Sequence, residues 1–399
     1  MTDWPEIPAG SDFGPTNLPY GIFTAPGHGR STPRVGVAIG EHVLDLSTLR
    51  GEPEFASATL NRFLAQGPAR WSAVRDDLVE LAYGPRHRDQ VRPHLIPRAQ
   101  VELRLPVEIG DYVDFYSSRH HAENVGRMFR PDADPLTPNW LHLPIGYHGR
   151  SGTIVVSGTD VRRPCGQRRG AAGPEFGPSI RLDVEAEVGF VVGTPSAPGE
   201  PVDVDSFREH VFGVVLLNDW SARDIQAWEY QPLGPFLGKS FATSISPWVV
   251  PLAALEAATV PAQAQDPTPL PYLWEKRSSA LDLNLEVSWN ETVVARPPFA
   301  AMYWTPGQQL AHLTVNGASL RTGDLYASGT VSGPRPDQRG SFLELTWNGA
   351  EPVTLADGST RTFLADGDTV CIRASAPAVG GGRLGFGAVC GRIVPAPQL

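Results

Sequence analysis

The chain has few cysteines, and the three that it has form no recognisable structural pattern. Cys165, Cys371 and Cys390 are the only ones among 399 residues. Their spacing matches neither the framework of a small disulfide-stapled domain nor a zinc site. We therefore expect three reduced, buried thiols in a cytosolic protein.

Positive charge and long apolar runs are also scarce. The formal net charge is −10 at pH 7, and no basic stripe is present to displace the counterions of a nucleic acid. No apolar run approaches the roughly 20 residues of a membrane-spanning helix, and the start, MTDWPEIPAG, lacks the features of a signal peptide. We expect a cytoplasmic protein with no nucleic-acid or membrane partner. Local Arg or Lys side chains must then hold any anionic substrate.

Glycine and proline are abundant, with 41 and 39 residues, and turns at these residues favour many short strands. A chain of this length is expected to form two domains. A polar, proline-containing stretch predicts domains of residues 1–98 and 99–399. The second is predicted to be a sandwich or roll, which makes the fold class mostly β (α+β). The predicted strands are 20–24, 35–39, 42–46, 152–156, 180–192, 211–217, 281–289, 342–347 and 369–374.

The N-terminal domain also contains a predicted helix. Trp71, Val74, Leu78 and Leu81 recur at helical spacing and should face the core.

Acidic and apolar residues alternate between residues 180 and 190, as they do in a strand. The acidic positions are Asp183, Glu185 and Glu187, which period two places on one face. Glu185 and Glu187 would be about 7 Å apart, and like charges at that distance repel unless a cation lies between them. The alternation alone also fits a solvated outer face.

The apolar segment 211–217 predicts a buried strand that ends close to Asp219. A carboxylate at such a strand end is costly unless it is paired or binds a metal. The next segment, 220–230, is predicted to be a helix. One face of it would carry Asp219, Arg223, Gln226 and Tyr230. An Asp that caps a solvated helix would explain the first of these side chains but not the other three.

A third group of polar residues lies between residues 111 and 130. It contains Asp114, Tyr116, His121 and Arg130. With Asp114, the acidic residues offer a metal only oxygen ligands, which suit calcium or magnesium rather than zinc. Four carboxylates carry more negative charge than one divalent ion neutralises, so nearby cations are needed. Lys239 and Arg223 are the candidates.

Four segments make the chain resemble the fumarylacetoacetate hydrolase family. They are DYVDFYSSRHHAENVGRMFR (111–130), PNWLHLPIGYHGR (138–150), NDWSARDIQAWEYQPLGPFLGKSF (218–241) and GTVSGP (329–334). The resemblance runs from Pro19 to the C-terminus and is dense between Asp111 and Val250. His120 departs from the family, which often has Gln before the catalytic histidine.

The resemblance implies a small N-terminal barrel-like domain, a large C-terminal β-sandwich roll and a homodimer. It also implies a calcium and/or magnesium cofactor. The implied metal ligands are Asp114, Glu185, Glu187 and Asp219, with Lys239 and Thr243 at a second, magnesium-associated position that involves Asp219.

The resemblance further implies catalytic and substrate-binding roles. His121 would activate a water molecule, and Glu344, in the strand predicted at 342–347, would orient His121. The tetrahedral oxyanion would be stabilised by Arg223, Gln226 and Lys239. Tyr116, Arg130 and Tyr147 would hold a substrate carboxylate. Other substrate contacts would come from Gln226, Tyr230 and Thr330.

The expected reaction is metal-dependent hydrolysis of the C–C bond of a dicarboxylic β-diketone. The family resemblance specifies 4-fumarylacetoacetate, which would give fumarate and acetoacetate at the last step of tyrosine and phenylalanine degradation. One alternative is a related acylpyruvate hydrolase, or an oxo-acid decarboxylase or hydratase, on the same fold. A second is a non-catalytic, calcium-stabilised β protein, which would leave Arg130, Tyr147 and Lys239 unexplained.

Overall fold

A computed structural model describes residues 7–8, 10–25 and 30–398. Short strands outnumber helices in this part of the chain, and most of the strands belong to two large sheets. The predicted mostly β (α+β) class is confirmed. Among the described residues, no helix combines the length and the apolar character that crossing a bilayer requires.

The N-terminal part is built around the helix α3 (Pro68–Tyr83). The helix begins at a proline, which suits the first helical turn because no backbone N–H is needed there. Trp71, Val74 and Leu78 are buried as predicted, Ala82 completes the stripe, and Leu81 is only partly buried. The elements of this part are β1 (Tyr20–Ala25), β2 (Arg30–Ile39), β3 (His42–Asp45), α1 (Leu46–Arg50), α2 (Asn61–Leu64), α3 (Pro68–Tyr83), α4 (Arg88–Val91), β4 (Leu95–Pro97) and β5 (Glu102–Arg104).

The C-terminal part contains the remaining strands and five further described helices. The strands are β6 (Tyr112–Phe115), β7 (Gly146–His148), β8 (Ile154–Val156), β9 (Val161–Arg162), β10 (Cys165–Arg169), β11 (Pro174–Pro178), β12 (Leu182–Asp183), β13 (Ala186–Val192), β14 (Val211–Asp219), β15 (Ser221–Ala222), β16 (Thr243–Ile245), β17 (Trp248–Pro251), β18 (Asn284–Trp289), β19 (Thr292–Ala295), β20 (Leu325–Ala327), β21 (Val353–Thr354), β22 (Thr360–Arg361), β23 (Thr369–Pro377), β24 (Arg383–Gly385) and β25 (Val389–Val394). The helices are α5 (Arg119–Phe129), α6 (Phe207–His210), α7 (Arg223–Glu229), α8 (Pro306–Thr314) and α9 (Phe342–Leu345).

One open sheet joins the two parts of the chain. Its strands follow the order β4-β3-β2-β1-β17-β14-β13-β20-β6-β7, with β5 paired to β1 and β16 paired to β14. The junction is the antiparallel pair β1–β17, where Tyr20 lies opposite Val249. Strands β1–β4 therefore form one end of a large sheet, and no sheet in the described ranges closes into a barrel.

A second sheet, in the order β19-β18-β23-β25-β9, faces the centre of the first. Side chains of β13 and β14, such as Phe190 and Leu216, share one core with side chains of the second sheet, such as Val287 and Ile372. Two sheets that enclose a common core form a β-sandwich. The predicted sandwich architecture of the C-terminal part is therefore present.

Strand β14 is buried on both of its faces, as its apolar sequence predicted. Val214 and Leu216 belong to the sandwich core, whereas Phe212, Val215 and Leu217 belong to the core shared with the N-terminal part. This position fixes the end of β14, and with it the residues that follow, between two packed layers.

The contact between the two parts gives a stability prediction. The ring of Phe212 lies 5.4 Å from Tyr20, 5.8 Å from Phe63 and 5.2 Å from Trp71, centroid to centroid. We expect Phe212→Ala to lower the free energy of unfolding by about 3–5 kcal/mol, because it leaves a cavity between the two parts. Urea unfolding, monitored by circular dichroism, measures this loss. The matched control is Phe176→Ala, because this ring is 66% exposed, and a similar loss in both variants would contradict the prediction.

One predicted strand is wrong, and one predicted helix begins later than expected. Residues 342–345 form the helix α9, not a strand, because the carboxylate of Asp183 accepts the backbone N–H groups of Phe342 and Leu343. Asp219 lies in β14 and not on the helix, since the sheet pairing continues opposite Thr243. Helix α7 begins at Arg223.

The predicted reduced state of the cysteines is wrong for two of them. Cys371 in β23 and Cys390 in β25 are directly opposite each other across an antiparallel pair, and a disulfide joins them. Their distance along the sequence concealed this, because strand pairing brings distant residues together. Cys165 is free and half-buried.

Candidate active site

Four carboxylates meet on one side of the large sheet, where β6, β13 and β14 lie close to one another. The backbone N–H of Asp219 donates to the carbonyl oxygen of Glu185 at 3.1 Å, and Glu187 lies opposite Leu217. Asp114 reaches the group from β6, across the short strand β20. One carboxylate oxygen from each of Asp114, Glu185, Glu187 and Asp219 lies within 4.8 Å of the other three, and all four residues are buried. The predicted ligands therefore come together.

The electrostatics of this cluster fit a bound cation. Asp114 Oδ1 and Glu187 Oε1 are buried and have no hydrogen-bond partner. Burial raises the pKa of the Asp114 carboxyl well above its usual value, and the charge of Asp219 adds to the rise. Burial also raises the pKa of Glu187, and Asp114 and Glu185 add to it. Unpaired buried carboxylate oxygens need a positive partner, and an oxygen-only set suits a hard divalent ion.

Lys239 balances part of the negative charge. Its ammonium group contacts Glu185 and donates a 2.9 Å hydrogen bond to Asp219 Oδ2. Burial lowers the pKa of Lys239, but Asp219 and Glu185 outweigh this effect and raise it above its usual value. Lys239 is therefore a permanent cation of the site. Asp219 also accepts hydrogen bonds from Tyr147 Oη at 3.3 Å and Thr243 Oγ1 at 3.2 Å, so both predicted residues lie here.

Arg223 is held on the other side of Glu185. Its guanidinium donates to Glu185 Oε1 at 2.7 Å and to Asp183 Oδ2 at 2.8 Å. It also donates to Gln226 Oε1 at 3.1 Å, which leaves the amide nitrogen of Gln226 free to donate to a ligand. Asp183 had been assigned no role from the sequence. Asp183 binds both Arg223 and the first backbone N–H groups of α9. Its place in the alternating acidic pattern was the only sequence signal for this role.

His121 and Glu344 form the predicted pair. Ser118 caps α5 by accepting the backbone N–H of His121, and this places the ring at the cluster. His121 Nδ1 lies 2.7 Å from Glu344 Oε2, and Nε2 lies 3.9 Å from Glu185 Oε1. A carboxylate only accepts hydrogen bonds, so Nδ1 donates to Glu344, and in this tautomer Nε2 is the nitrogen that can accept a proton.

Several donors hold Glu344 in place. Asn124 Nδ2 donates to Oε1 at 2.9 Å, and the hydroxyls of Ser332 and Ser341 each donate to Oε2 at 2.9 Å. Burial raises the pKa of Glu344, but His121 and these hydrogen bonds outweigh burial, so the net pKa is lowered. Glu344 is therefore an ionised, fixed partner for the imidazole.

The neighbouring His120 lies differently. It is half-buried, and among the described residues it makes no hydrogen bond to Glu344 or to the four carboxylates. Two adjacent helical residues project about 100° apart, so both rings cannot take the same position.

The remaining predicted substrate contacts differ in burial and in their contacts with the cluster. Tyr116 lies edge-on to His121, with ring centroids 5.3 Å apart. Thr330 is buried with an unpaired hydroxyl, and the adjacent Gly329 N–H donates to Glu187 Oε2 at 3.2 Å. Arg130 and Tyr230 are exposed. The Arg130 guanidinium donates to the carbonyl oxygen of Pro135 at 2.6 Å. Its positive charge offsets part of the rise that burial causes in the pKa of Tyr116.

Two protein-family models match the chain. The family model "Fumarylacetoacetate (FAA) hydrolase C-terminal" matches residues 112–394, and "Fumarylacetoacetase N-terminal" matches residues 16–106. The chain is 48% identical to the fumarylacetoacetase of Homo sapiens, over 97% of each chain. It is 49% identical to that of Arabidopsis thaliana, over 98% of each chain.

A solved structure shares the fold. The fumarylacetoacetate hydrolase of Exiguobacterium antarcticum is 17% identical to this chain and superposes with a TM-score of 0.57, covering 95% of this chain and 100% of that one.

Proposed function

The chain belongs to the fumarylacetoacetate hydrolase family, and from this premise we propose that its site hydrolyses the C–C bond of 4-fumarylacetoacetate to fumarate and acetoacetate. The observation that carries the proposal is the His121–Glu344 pair beside four buried carboxylates. The pair supplies a base, and the carboxylates supply a site for a cation.

We propose calcium or magnesium as that cation, held by Asp114, Glu185, Glu187 and Asp219, with Lys239 and Thr243 at a second, magnesium-associated position beside Asp219. When bound, a divalent ion supplies Lewis-acid polarisation of the two keto oxygens of a β-diketone.

The chain's own residues carry the proton transfers. His121 Nε2 accepts a proton from water, and Glu344 stabilises the imidazolium that forms. The water oxygen bonds to the carbonyl carbon of the fumaryl group, and the electron pair of the C=O π bond moves to its oxygen, which becomes the oxyanion of a tetrahedral intermediate. The oxyanion then re-forms the C=O bond, the bond between that carbon and the acetoacetate methylene breaks, and its electron pair leaves as the enolate of acetoacetate. The proton held by His121 returns to this carbanion.

Arg223, Gln226 and Lys239 would donate to the oxyanion of the tetrahedral intermediate. Lys239 uses two of its three N–H groups on Glu185 and Asp219 and keeps one for the substrate. The amide nitrogen of Gln226 remains free to donate to the substrate because Arg223 occupies the amide oxygen. Donors fixed in advance in a buried site stabilise developing charge without reorganisation.

The test is a turnover assay with fumarylacetoacetate beside fumarylpyruvate. We expect catalytic loss of the absorbance of the enolised diketone and release of fumarate and acetoacetate. A preference for fumarylpyruvate would favour an acylpyruvate hydrolase. Release of carbon dioxide or formation of a hydrate would favour the decarboxylase or hydratase alternative, which needs no His121–Glu344 pair. A stoichiometric shift in absorbance without turnover would indicate a binding protein.

We also propose two domains with a boundary near residue 98, a homodimer and a cytoplasmic location. Exposed apolar side chains along residues 228–237 support a subunit contact beside the site, since a monomer seldom exposes such a group. These side chains are Trp228, Tyr230, Leu233, Phe236 and Leu237. Sedimentation equilibrium and cell fractionation test the last two proposals.

A further inference from the structure

A cavity of about 290 Å³ opens beside the four carboxylates, on the side of Tyr147 and Lys239. It shares Tyr147, Asp219 and Lys239 with the site, so its inner end is the site itself. None of the roles assigned above uses its outer end. That end is lined by Tyr112, His148–Ser151, Pro235–Phe236 and Ser240.

The outer end carries a cation without a partner. Arg150 lines the cavity, and across the described ranges its guanidinium makes no hydrogen bond or ion pair. The other cations of the site differ, because Arg223 and Lys239 are held by carboxylates. The imidazole of His148, also in this outer wall, already contacts the carboxylate of Asp111 at 3.0 Å. Arg150 is therefore the positive charge that this wall has available for a ligand.

A second polar group in the cavity is also unpaired. The Tyr112 side chain is 2% exposed and its hydroxyl has no hydrogen-bond partner. The backbone of Gly149 packs directly on this ring, since a Cβ there would lie 2.4 Å from Tyr112 Cδ1. Glycine at this position lets the chain pass close to the ring and brings Arg150 to the mouth of the same cavity.

The substrate of the proposed function has chemistry that matches these two groups. Its diketone lies between two arms, each of which ends in a carboxylate. The carboxylate of one arm is assigned to Tyr116, Arg130 and Tyr147, of which Tyr116 lies against His121. The cavity lies on the Lys239 side, and its apolar walls Pro235 and Phe236 suit an unsaturated carbon chain.

We infer that Arg150, with Tyr112 in the wall of the same cavity, binds the carboxylate of the longer, unsaturated arm of the dicarboxylic substrate. The two arginines, Arg130 and Arg150, then hold opposite ends of the molecule and centre its diketone on the carboxylate cluster. Arg150 would thus select dicarboxylic over monocarboxylic β-diketones. This inference rests on the proposed function.

The test compares fumarylacetoacetate with 3,5-dioxohexanoate, a β-diketone that lacks the second carboxylate. A lost hydrogen bond to a charged group corresponds to roughly a 10- to 100-fold effect. We expect Arg150→Gln to raise the KM for fumarylacetoacetate by about this factor with little change in kcat, and to leave kcat/KM for 3,5-dioxohexanoate unchanged. Arg150→Lys should recover part of the loss. Arg62→Gln, an exposed arginine of α2, is the matched control and should change neither substrate.

Calorimetric titration with fumarate gives a readout that needs no turnover. Arg150→Gln should weaken fumarate binding by a similar factor. Equal losses on both substrates, or fumarate binding that does not depend on Arg150, would overturn the inference. Failure of the unsubstituted protein to turn over either diketone would overturn the proposed function instead, and fumarate binding that still depends on Arg150 would then leave the carboxylate site standing.

Discussion

Replacing His121 by phenylalanine should lower kcat by about 10²–10⁴-fold, whereas His120→Gln should leave kcat nearly unchanged. The two residues are adjacent on α5, yet only His121 meets Glu344, at 2.7 Å, and turns Nε2 toward the carboxylate cluster. Loss of the base removes the proton transfer from water but leaves the four carboxylates in place.

The measurement is kcat for both variants, with the metal content of each determined by elemental analysis. Equal metal content separates loss of the base from loss of the cation. An active His121→Phe enzyme beside an inactive His120→Gln enzyme would reverse the assignment of the base. It would also remove the main reason for preferring hydrolysis over decarboxylation.

Glu344→Gln should fall between these two variants. Glutamine can still accept the Nδ1–H of His121, but it carries no charge to stabilise the imidazolium. The hydroxyls of Ser332 and Ser341 would still donate to the amide oxygen of the new side chain and keep it in position. Activity as low as that of His121→Phe would mean that the charge of Glu344 is as necessary as the base.

The positions of three of the four clustered carboxylates, Glu185, Glu187 and Asp219, could be predicted because they depend on local patterns. Segment 211–217 is apolar throughout because β14 has a packed layer on both faces. The alternation at residues 183–187 predicted one carboxylate face, and Glu185 and Glu187 do meet. Both signals belong to single strands, so no knowledge of distant residues was needed.

Asp183 could not be assigned because its surroundings are set by distant parts of the chain. The predicted strand 180–192 breaks into β12 and β13, and Glu185, which lies between them, forms an isolated bridge with Ser341. Asp183 then accepts two backbone N–H groups of α9 and pairs with Arg223. The same contacts turned residues 342–345 into a helix, and a comparable long-range pairing brought Cys371 to Cys390. Pairing of this kind is not encoded in local periodicity.

Removing the divalent cation should abolish activity, and so should Glu187→Gln. The substitution should nevertheless make the metal-free protein more stable than the metal-free parent. Glu187 Oε1 is buried without a hydrogen-bond partner, and burial together with Asp114 and Glu185 raises the pKa of this carboxyl. In the metal-free chain this carboxyl group therefore lowers the free energy of unfolding, on the order of 1–3 kcal/mol for a buried unsatisfied polar group. Neutral glutamine should relieve part of this loss.

Thermal unfolding with and without calcium or magnesium measures the effect on stability, and the turnover assay measures the effect on activity. A ligand that binds only the folded state adds about 2.7 kcal/mol at a concentration 100 times its Kd. Chelator-treated protein should therefore gain stability and activity when the cation is returned. Metal-free Glu187→Gln should start with a higher Tm than the metal-free parent, gain little from the cation and stay inactive. Glu351→Gln, on an exposed turn, should behave like the parent.

Full activity of chelated protein, verified as metal-free by elemental analysis, would show that the four carboxylates serve the fold and not a cation. A lower Tm of metal-free Glu187→Gln would show that the carboxylate already has a positive partner within the protein.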